Sequence, residues 1–376
     1  MALQSRDHGK TTKRRSVIQA SGGALALGMT GLYGTLLAGN GLLTSANAAT
    51  ASMPVADGDM QQVLDQLGVL GGKPIETLSP EMARRQPTPS DAVKAVMQKR
   101  GIPAESDTAV TTRDIRYPAG AGEQKARIYT PAGAQPGLPI VLYIHGGGWV
   151  IADIDVYDAG PRALAKLSGA VVVSIEYRHA PEAKFPAAHD DANAAYRWIL
   201  ANAAGLGGDP KKIAVVGESA GGNMALAVAI HARDARLVMP LCAILIYPVA
   251  DTSPDTPAKK MFFNAKPLNT PMLSWFFKHT LSSPDQSADS RLNLVGAKLN
   301  DLPPTTIILA EIDPLHDDGV NLATKLKAAG VTVELREYPG VTHEFFGMGA
   351  VVAKARDAQI YASTKLKSAL GNMRRT

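Results

Sequence analysis

The 376-residue chain is 45% hydrophobic and 19% charged, a composition that excludes disorder and allows a large buried core. Its formal net charge of +5 is concentrated at the start, because residues 1–48 carry five basic side chains and one acid. The rest of the chain is nearly neutral, which gives no electrostatic basis for binding nucleic acid. The single cysteine, Cys242, excludes an internal disulfide and a cysteine-rich metal site.

The first 48 residues have the layout of an export signal. Basic residues that include Arg14 and Arg15 precede an apolar stretch at residues 20–43, and residues 46–48 form a small-residue cleavage pattern. The paired arginines resemble a twin-arginine signal. Seven glycines make the stretch a poor transmembrane helix, although a retained anchor is the alternative. We therefore expect a signal peptide over residues 1–48, a periplasmic or secreted mature protein, and no stable membrane insertion after cleavage.

Residues 49–105 are predicted to form N-terminal helices without a chemical motif of their own. Apolar side chains at helical spacing indicate one helix over residues 60–67. Ser90 and Asp91 are suitable caps for a second helix over residues 92–97. Prolines break the chain between the two.

From residue 106 to 376, short apolar runs alternate with helical ones. Strands are predicted over residues 111–117, 125–129, 140–144, 171–175, 213–216, 243–247, 306–309 and 331–338, and the clearest helices over residues 193–201, 223–232, 320–328 and 350–370. This alternation predicts the α/β class, with a mostly parallel sheet covered by helices on both faces. Residues 252–300 interrupt the alternation with prolines and with an aromatic cluster, so we interpret them as an insertion. The aromatic side chains are Phe262, Phe263, Trp275, Phe276 and Phe277.

A glycine-flanked serine follows a predicted strand and precedes a predicted helix. The motif is Gly217-Glu218-Ser219-Ala220-Gly221. In this setting the pattern is typical of the nucleophile elbow of α/β-hydrolases, a sharp turn that exposes the serine hydroxyl at the sheet edge. Ser219 is therefore the candidate nucleophile, and a purely structural glycine turn is the alternative.

A second glycine-rich motif follows the predicted strand at residues 140–144. It reads His145-Gly146-Gly147-Gly148-Trp149. Acyl transfer develops an oxyanion that needs preplaced N–H donors, and glycines let backbone amides approach it. We expect the amides of Gly146, Gly147 and Ala220 to form the oxyanion hole. His145 is interpreted as a residue that organises this loop by hydrogen bonding.

The partners of the serine are expected in the order acid, then histidine. Asp313 follows the predicted strand that ends near residue 310, and His343 lies on the loop after the last predicted strand. We expect His343 to act as the base and Asp313 to orient it.

Other polar residues compete for these roles. His316, Asp317 and Asp318 lie close to Asp313 and form a conceivable metal set, but Pro314 is predicted to open a helix whose dipole those acids complement. The sequence therefore predicts no metal ligand. Glu311 is expected within a strand. Two further histidines, His179 and His189, precede the nucleophile and break the expected order.

Together these motifs resemble the hormone-sensitive lipase-like esterases, the bacterial family IV of α/β-hydrolases, over residues 105–350. The resemblance also includes the stretch Tyr177-Arg178, Ala180-Pro181-Glu182 and Phe185-Pro186-Ala187-Ala188. It implies hydrolysis of a small-molecule carboxylic ester without a cofactor, and a helical cap built from residues 49–105 and the insertion at 252–300. Glu218 and Glu344 depart from the family pattern, which more often has Asp and Gly there.

We therefore expect a monomeric or homodimeric carboxylesterase with a closed apolar acyl pocket and a preference for short acyl chains. Two other classes of function stay open. The same serine, histidine and acid serve an amidase, a peptidase or a lactonase, and receptors without catalysis exist on this fold.

Overall fold

The computed structural model describes residues 53–103, 108–120 and 122–371. The predicted signal peptide lies outside the described residues. Eight strands form one sheet: β1 Val110–Ala119, β2 Gly122–Pro131, β3 Leu138–Ile144, β4 Val171–Ile175, β5 Gly208–Glu218, β6 Ala243–Ile246, β7 Thr305–Ile312 and β8 Val333–Thr342.

Ten α-helices accompany the sheet within the described residues: α1 Gly58–Val69, α2 Pro80–Ala83, α3 Pro89–Lys99, α4 Ala159–Ser168, α5 Ala187–Asn202, α6 Ala220–Asp234, α7 Pro257–Met261, α8 Thr270–Thr280, α9 His316–Ala328 and α10 Ala353–Gly371. In this described part of the chain, no helix combines the length and the apolar character that crossing a bilayer requires.

The strand order is β1-β2-β4-β3-β5-β6-β7-β8. The first two strands pair antiparallel with each other, and β2 pairs antiparallel with β4. All other neighbours are parallel. The predicted fold class, a mostly parallel sheet in an α/β-hydrolase fold, is confirmed.

Two apolar cores lie on opposite faces of this sheet. Strands β3, β4 and β6 alternate side chains between the faces, and both sets are almost entirely buried, which explains their unbroken apolar sequences. One core includes α5, α6 and α9. The other includes α1, α3, α4 and α10. The carboxyl ends of the parallel strands lie between these helical layers, at the edge where such sheets hold their functional residues.

The helix predicted over residues 92–97 is shorter than the observed helix α3, and its N-cap is not one of the predicted residues. Thr88 caps α3, and its hydroxyl accepts a hydrogen bond from the Asp91 amide at 3.1 Å. The Asp91 carboxylate in turn accepts from the Thr88 amide at 3.0 Å. This capping box starts the helix at Pro89, because proline is favoured in the first turn.

Two other helix starts also differ from the predictions. Helix α5 begins at Ala187, six residues before the predicted start, because its first turns carry Asp191, a buried carboxylate paired with Arg178 that no apolar pattern reveals. Asp191 has no exposed surface and its Oδ1 lies 2.7 Å from the Arg178 guanidinium. Helix α9 begins at His316, so Pro314 precedes the helix and does not open it.

The N-terminal helical segment contacts the insertion at residues 252–300. The Trp275 indole donates to the Leu78 carbonyl at 3.0 Å. The Asn269 amide donates to Glu76 at 3.1 Å. These contacts join the part of the N-terminal segment around residues 76–78 to the insertion, whereas α1 and α3 pack in the core on the other face of the sheet.

Candidate active site

Ser219 lies between the end of β5 at Glu218 and the start of α6 at Ala220. Its backbone has φ 56° and ψ −120°, a conformation that non-glycine residues rarely adopt and that is common at functional turns. A Cβ at Gly217 would lie 2.1 Å from the Gly221 carbonyl, so this turn requires glycine. The turn holds Ser219 at the carboxyl end of a central strand. Only 6% of the residue's surface is exposed to solvent.

His343 and Asp313 reach Ser219 from the ends of the neighbouring strands β8 and β7. His343 Nε2 lies 3.0 Å from Ser219 Oγ. His343 Nδ1 lies 2.6 Å from Asp313 Oδ2, and the other carboxylate oxygen accepts from the Leu315 amide at 2.8 Å. The structure therefore brings the three predicted residues into one hydrogen-bonded chain. Both oxygens of the Asp313 carboxylate are hydrogen-bonded.

Electrostatics favour the protonated form of this histidine. Burial opposes a charge on His343, but the charge and hydrogen bond of Asp313, together with the charges of Glu344 and Glu218, outweigh burial. The pKa of His343 is therefore raised above the ordinary value of a histidine. A base with a raised pKa accepts the serine proton more readily and holds the resulting imidazolium more stably.

The loop of residues 145–149 lies beside this chain. A Cβ at Gly146 would lie 2.3 Å from the Tyr157 hydroxyl, and Gly147 has φ 94°. Within the described residues, the Gly146 and Gly147 amides donate to no protein acceptor. The Ala220 amide is the first of α6, where intrahelical acceptors are lacking. The chain thus supplies three uncommitted backbone donors at the predicted positions.

His145 is part of the framework of that loop. Its Nδ1 lies 2.9 Å from the Gly146 carbonyl, and its ring stacks on Tyr177 with 4.4 Å between the ring centroids. The Tyr177 hydroxyl donates to the same carbonyl at 2.8 Å. These contacts fix the start of the loop, as the sequence analysis expected of His145.

Sequence reasoning missed a set of acidic and tyrosine side chains behind the serine. Glu218 accepts hydrogen bonds from the hydroxyls of Tyr143 and Tyr247. Burial raises the pKa of Glu218 to about 7, although these hydrogen bonds oppose the rise. Glu344 accepts from the Tyr157 hydroxyl at 2.6 Å. The departures from the family pattern at Glu218 and Glu344 were the signal available in the sequence.

Glu344, the second departure from the family pattern, lies beside the catalytic histidine. Its Oε1 lies 3.9 Å from His343 Nε2, the ring nitrogen that faces the serine. Burial raises the pKa of Glu344, while the charge of His343 lowers it. The left-handed backbone at Glu344, with φ 70°, explains why glycine is frequent there in the resembling family.

The insertion covers the glycine loop. A Cβ at Gly148 would lie 2.3 Å from the ring of Phe276, so that ring rests directly on the loop backbone. The ring centroids of Trp149 and Phe277 are 5.9 Å apart. Helix α8 therefore packs on the glycine loop beside the serine, with the side chains of Trp275 and Phe276 buried.

The competing polar residues have structural contacts elsewhere. His316 Nε2 lies 2.7 Å from Glu337, and Asp317 accepts from the Ala258 amide at 2.8 Å. Glu311 lies in β7 and accepts from the Gly340 amide.

Two further competitors also have contacts of their own with other residues. Asp318 forms a buried ion pair with Lys259 at 2.9 Å, which ties α9 to the insertion. The ring of His189 contacts the Asn223 side chain at 2.9 Å. The ion pair joins residues 59 positions apart, so no local sequence pattern predicts it.

A family model described as the alpha/beta hydrolase fold matches residues 141–347. The ethyl acetate hydrolase of Pseudomonas putida is 35% identical over 314 residues, which are 82% of this chain and 96% of that protein. The carboxylesterase NlhH of Mycobacterium tuberculosis is 36% identical over 74% of this chain and 89% of its own length.

Solved structures agree with these relatives. The Pyrobaculum calidifontis esterase superposes with a TM-score of 0.74 at 34% identity, covering 83% of this chain and 98% of that one. A thermostable esterase from Pseudomonas putida gives a TM-score of 0.76 at 32% identity, with 84% and 98% covered. Since the fold, the motifs and these relatives agree, the chain belongs to the hormone-sensitive lipase-like, bacterial family IV of the α/β-hydrolase superfamily and is a carboxylic ester hydrolase.

Proposed function

We propose that the protein hydrolyses short-chain acyl esters through an acyl-enzyme intermediate on Ser219. The observation that carries the proposal is the hydrogen-bonded chain from Ser219 through His343 to Asp313, with distances of 3.0 and 2.6 Å. A serine is a weak nucleophile unless an adjacent base takes its proton. His343 Nε2 is within reach of that proton.

The reaction then runs in two acyl transfers. Ser219 Oγ bonds to the ester carbonyl carbon while its proton passes to His343 Nε2, and the carbon–oxygen bond to the alcohol breaks as the imidazolium returns that proton to the leaving alkoxide. A water molecule repeats the sequence on the acyl-enzyme and releases the carboxylic acid. Asp313 keeps its own charge throughout and stabilises the imidazolium.

The negative oxygen of each tetrahedral intermediate is assigned to the amides of Gly146, Gly147 and Ala220. These amides donate to no protein acceptor in the described part of the chain, which supports this role. An N–H group that is already hydrogen-bonded within the protein stabilises a developing negative charge less well. The N-terminus of α6 adds a favourable dipole.

A preference for short acyl groups is supported by the cover over the serine. Ser219 is 6% exposed, and Phe276 packs onto the glycine loop beside it. A closed apolar pocket rewards each added methylene by about 0.8 kcal/mol until it is full, and longer chains then overpack it. One relative is named for ethyl acetate, an ester with a two-carbon acyl group.

A series of p-nitrophenyl esters with acyl chains from two to sixteen carbons tests this proposal. We expect kcat/KM to be greatest at about two to six carbons and to fall beyond that length. An anilide and a lactone in the same panel separate ester hydrolysis from amidase and lactonase activity. A kcat/KM that keeps rising beyond about ten carbons, or a jump in rate at an oil–water interface, contradicts the closed pocket.

Export through a cleaved twin-arginine signal is the second part of the proposal, supported by the paired arginines and the small-residue pattern at residues 46–48. The mature protein is expected to begin near Ala49. Replacement of Arg14 and Arg15 by lysine should hold a precursor in the cytoplasm. An exported protein with its N-terminal sequence intact contradicts cleavage and favours an anchor.

A further inference from the structure

Two histidines and a glutamate converge behind the glycine loop, outside the chain of Ser219, His343 and Asp313. One ligand-type atom from each of His145, Glu176 and His179 lies within 4.8 Å of the other two. His145 has no exposed surface, and the Nε2 atoms of both histidines are buried without a hydrogen-bond partner. Buried polar atoms normally have hydrogen-bond partners, so two unpaired histidine nitrogens in one cluster with a carboxylate call for an explanation.

The protonation of His145 sharpens this observation. Its Nδ1 lies 2.9 Å from the Gly146 carbonyl, so Nδ1 carries the hydrogen and donates it there. Its Nε2 lies 3.5 Å from Glu176 Oε2. A neutral ring would then direct a lone pair at a carboxylate oxygen. Either a second proton or a metal cation between the two atoms removes that repulsion.

The three side chains have the chemistry of a transition-metal site. Two imidazole nitrogens and one carboxylate oxygen form the ligand set of several catalytic zinc sites, which leave a fourth position to water. Glu176 is held for this role, because its Oε1 accepts from the Ile154 amide at 2.7 Å and Oε2 is the atom turned to His145. Such partners fix a ligating carboxylate in place.

A route from solvent reaches the third ligand. A cavity of about 420 Å³ is lined by Arg84, Arg178, His179, Glu182 and Ala183. Both arginines in its wall are paired, Arg84 with Glu182 at 2.7 Å and Arg178 with Asp191 at 2.7 Å. The wall therefore does not carry the uncompensated positive charge that would repel a divalent cation.

We propose that His145, Glu176 and His179 bind one divalent transition-metal cation of the zinc class. His179 is the residue that completes the set, and it stands between Tyr177-Arg178 and Ala180-Pro181-Glu182, outside the matched positions of the family connector. Magnesium and calcium do not fit, because they prefer ligand sets made of oxygen.

Metal binding acts on the oxyanion loop. Zinc ligands lie about 2.0 to 2.1 Å from the metal, so ligand atoms up to 4.8 Å apart must draw together. Any shift of the His145 ring pulls on its hydrogen bond to the Gly146 carbonyl and moves the proposed oxyanion donors. We therefore expect the bound metal to inhibit, and this consequence rests on the proposed esterase function.

The test compares the wild type with His179→Leu and His179→Gln, and uses His316→Ala as the matched control for a histidine beside carboxylates at the surface. Chelator-buffered Zn²⁺ is titrated by calorimetry, and the melting temperature is measured with and without the metal. We expect one Zn²⁺ per chain in the wild type and in His316→Ala, at least roughly tenfold weaker binding in both His179 variants, and no heat from Mg²⁺.

Ester hydrolysis measured in the same titrations should fall in step with Zn²⁺ occupancy. Absence of Zn²⁺ binding, or equal binding in the folded His179 variants, overturns the proposed metal site. Zn²⁺ binding at an unchanged rate overturns the coupling to the loop. If no ester is hydrolysed by any form, the proposed function fails while the calorimetry still decides the metal site.

Discussion

The carboxylate of Glu344 lies 3.9 Å from Nε2 of His343, on the side of the ring that faces Ser219. Asp313 holds the opposite nitrogen at 2.6 Å, so the imidazole lies between two carboxylates. The hydroxyl of Tyr157 donates to Glu344 and fixes its position. Both acids favour the imidazolium form, but only Asp313 can also orient the ring through Nδ1.

Removal of the Glu344 charge should extend activity to lower pH. The free enzyme needs neutral His343, so kcat/KM falls as the pH drops through the raised pKa of that histidine. Glu344→Gln keeps an acceptor for Tyr157 but removes a negative charge that raises the pKa of His343. We expect the acid limb of the kcat/KM profile to move to lower pH, with the plateau at higher pH largely retained.

Glu337→Gln is the control for this shift, because Glu337 is a carboxylate that pairs with His316 away from the serine. Its acid limb should coincide with that of the wild type. An acid limb in Glu344→Gln that is unmoved, or moved to higher pH, contradicts the proposed effect of the second carboxylate.

Loss of the base His343 should remove most of the activity, together with the fall in activity at acid pH that its titration causes. His343→Asn cannot take the serine proton, so kcat should fall by roughly 10³-fold or more. His316→Asn alters a histidine engaged with Glu337 and should leave the rate and the limb in place. The assignment of the base is wrong if the residual activity of His343→Asn still follows the wild-type limb.

A methyl group on the glycine loop should damage the proposed oxyanion hole. In Gly146→Ala the added Cβ would lie 2.3 Å from the Tyr157 hydroxyl and 3.1 Å from the Glu218 carbonyl, so the loop must move. Loss of one oxyanion donor costs about 10²- to 10³-fold in kcat. Adding Tyr157→Phe removes the nearest clashing atom and should recover part of the loss. A Gly146→Ala enzyme with unaltered kcat argues against the assigned donor.

The buried ion pair between Lys259 and Asp318 should be needed for stability. Lys259→Met leaves Asp318 buried without its cation, a change that costs about 3 to 5 kcal/mol in proteins. Burial raises the pKa of Asp318 to about 6 even with Lys259 present. Because the cost applies to the ionised carboxylate, the loss should be greatest above that pKa and should shrink as the pH falls and Asp318 takes up a proton.

Urea unfolding of the wild type and Lys259→Met over a range of pH measures this loss. The matched control is Lys260→Met, which removes an exposed lysine 3.5 Å from Asp255 and should change the free energy of unfolding by about 0.5 kcal/mol or less. A loss in Lys259→Met that is as small as in this control, or equal at every pH, excludes the role assigned to the pair.

The sequence predicted the sheet and the positions of Ser219, Asp313 and His343 because each depends on local order along the chain. A short apolar run followed by a polar residue is visible without knowledge of the fold. The contacts that long-range packing creates were not visible. Glu344 and Tyr157 are 187 residues apart, and the start of α5 depends on the pairing of the buried Asp191 with Arg178.

The orphan nitrogens of His145 and His179 illustrate the same limit. His179 was set aside because it precedes the nucleophile in the chain, yet the fold places it close to His145 and Glu176. Spacing along the chain gives no sign of that cluster, since the three residues come from the glycine loop and from the turn after β4.

Covalent labelling of the nucleophile tests the central claim most directly. A p-nitrophenyl alkylphosphonate should react with the wild type, release one p-nitrophenolate per chain, and leave the phosphonyl group on Ser219 in the peptide map. Ser219→Ala should take up no label while its melting temperature stays close to that of the wild type, and its kcat should fall by roughly 10³-fold or more. Label on a different residue, or ester hydrolysis by Ser219→Ala at the wild-type rate, contradicts the account.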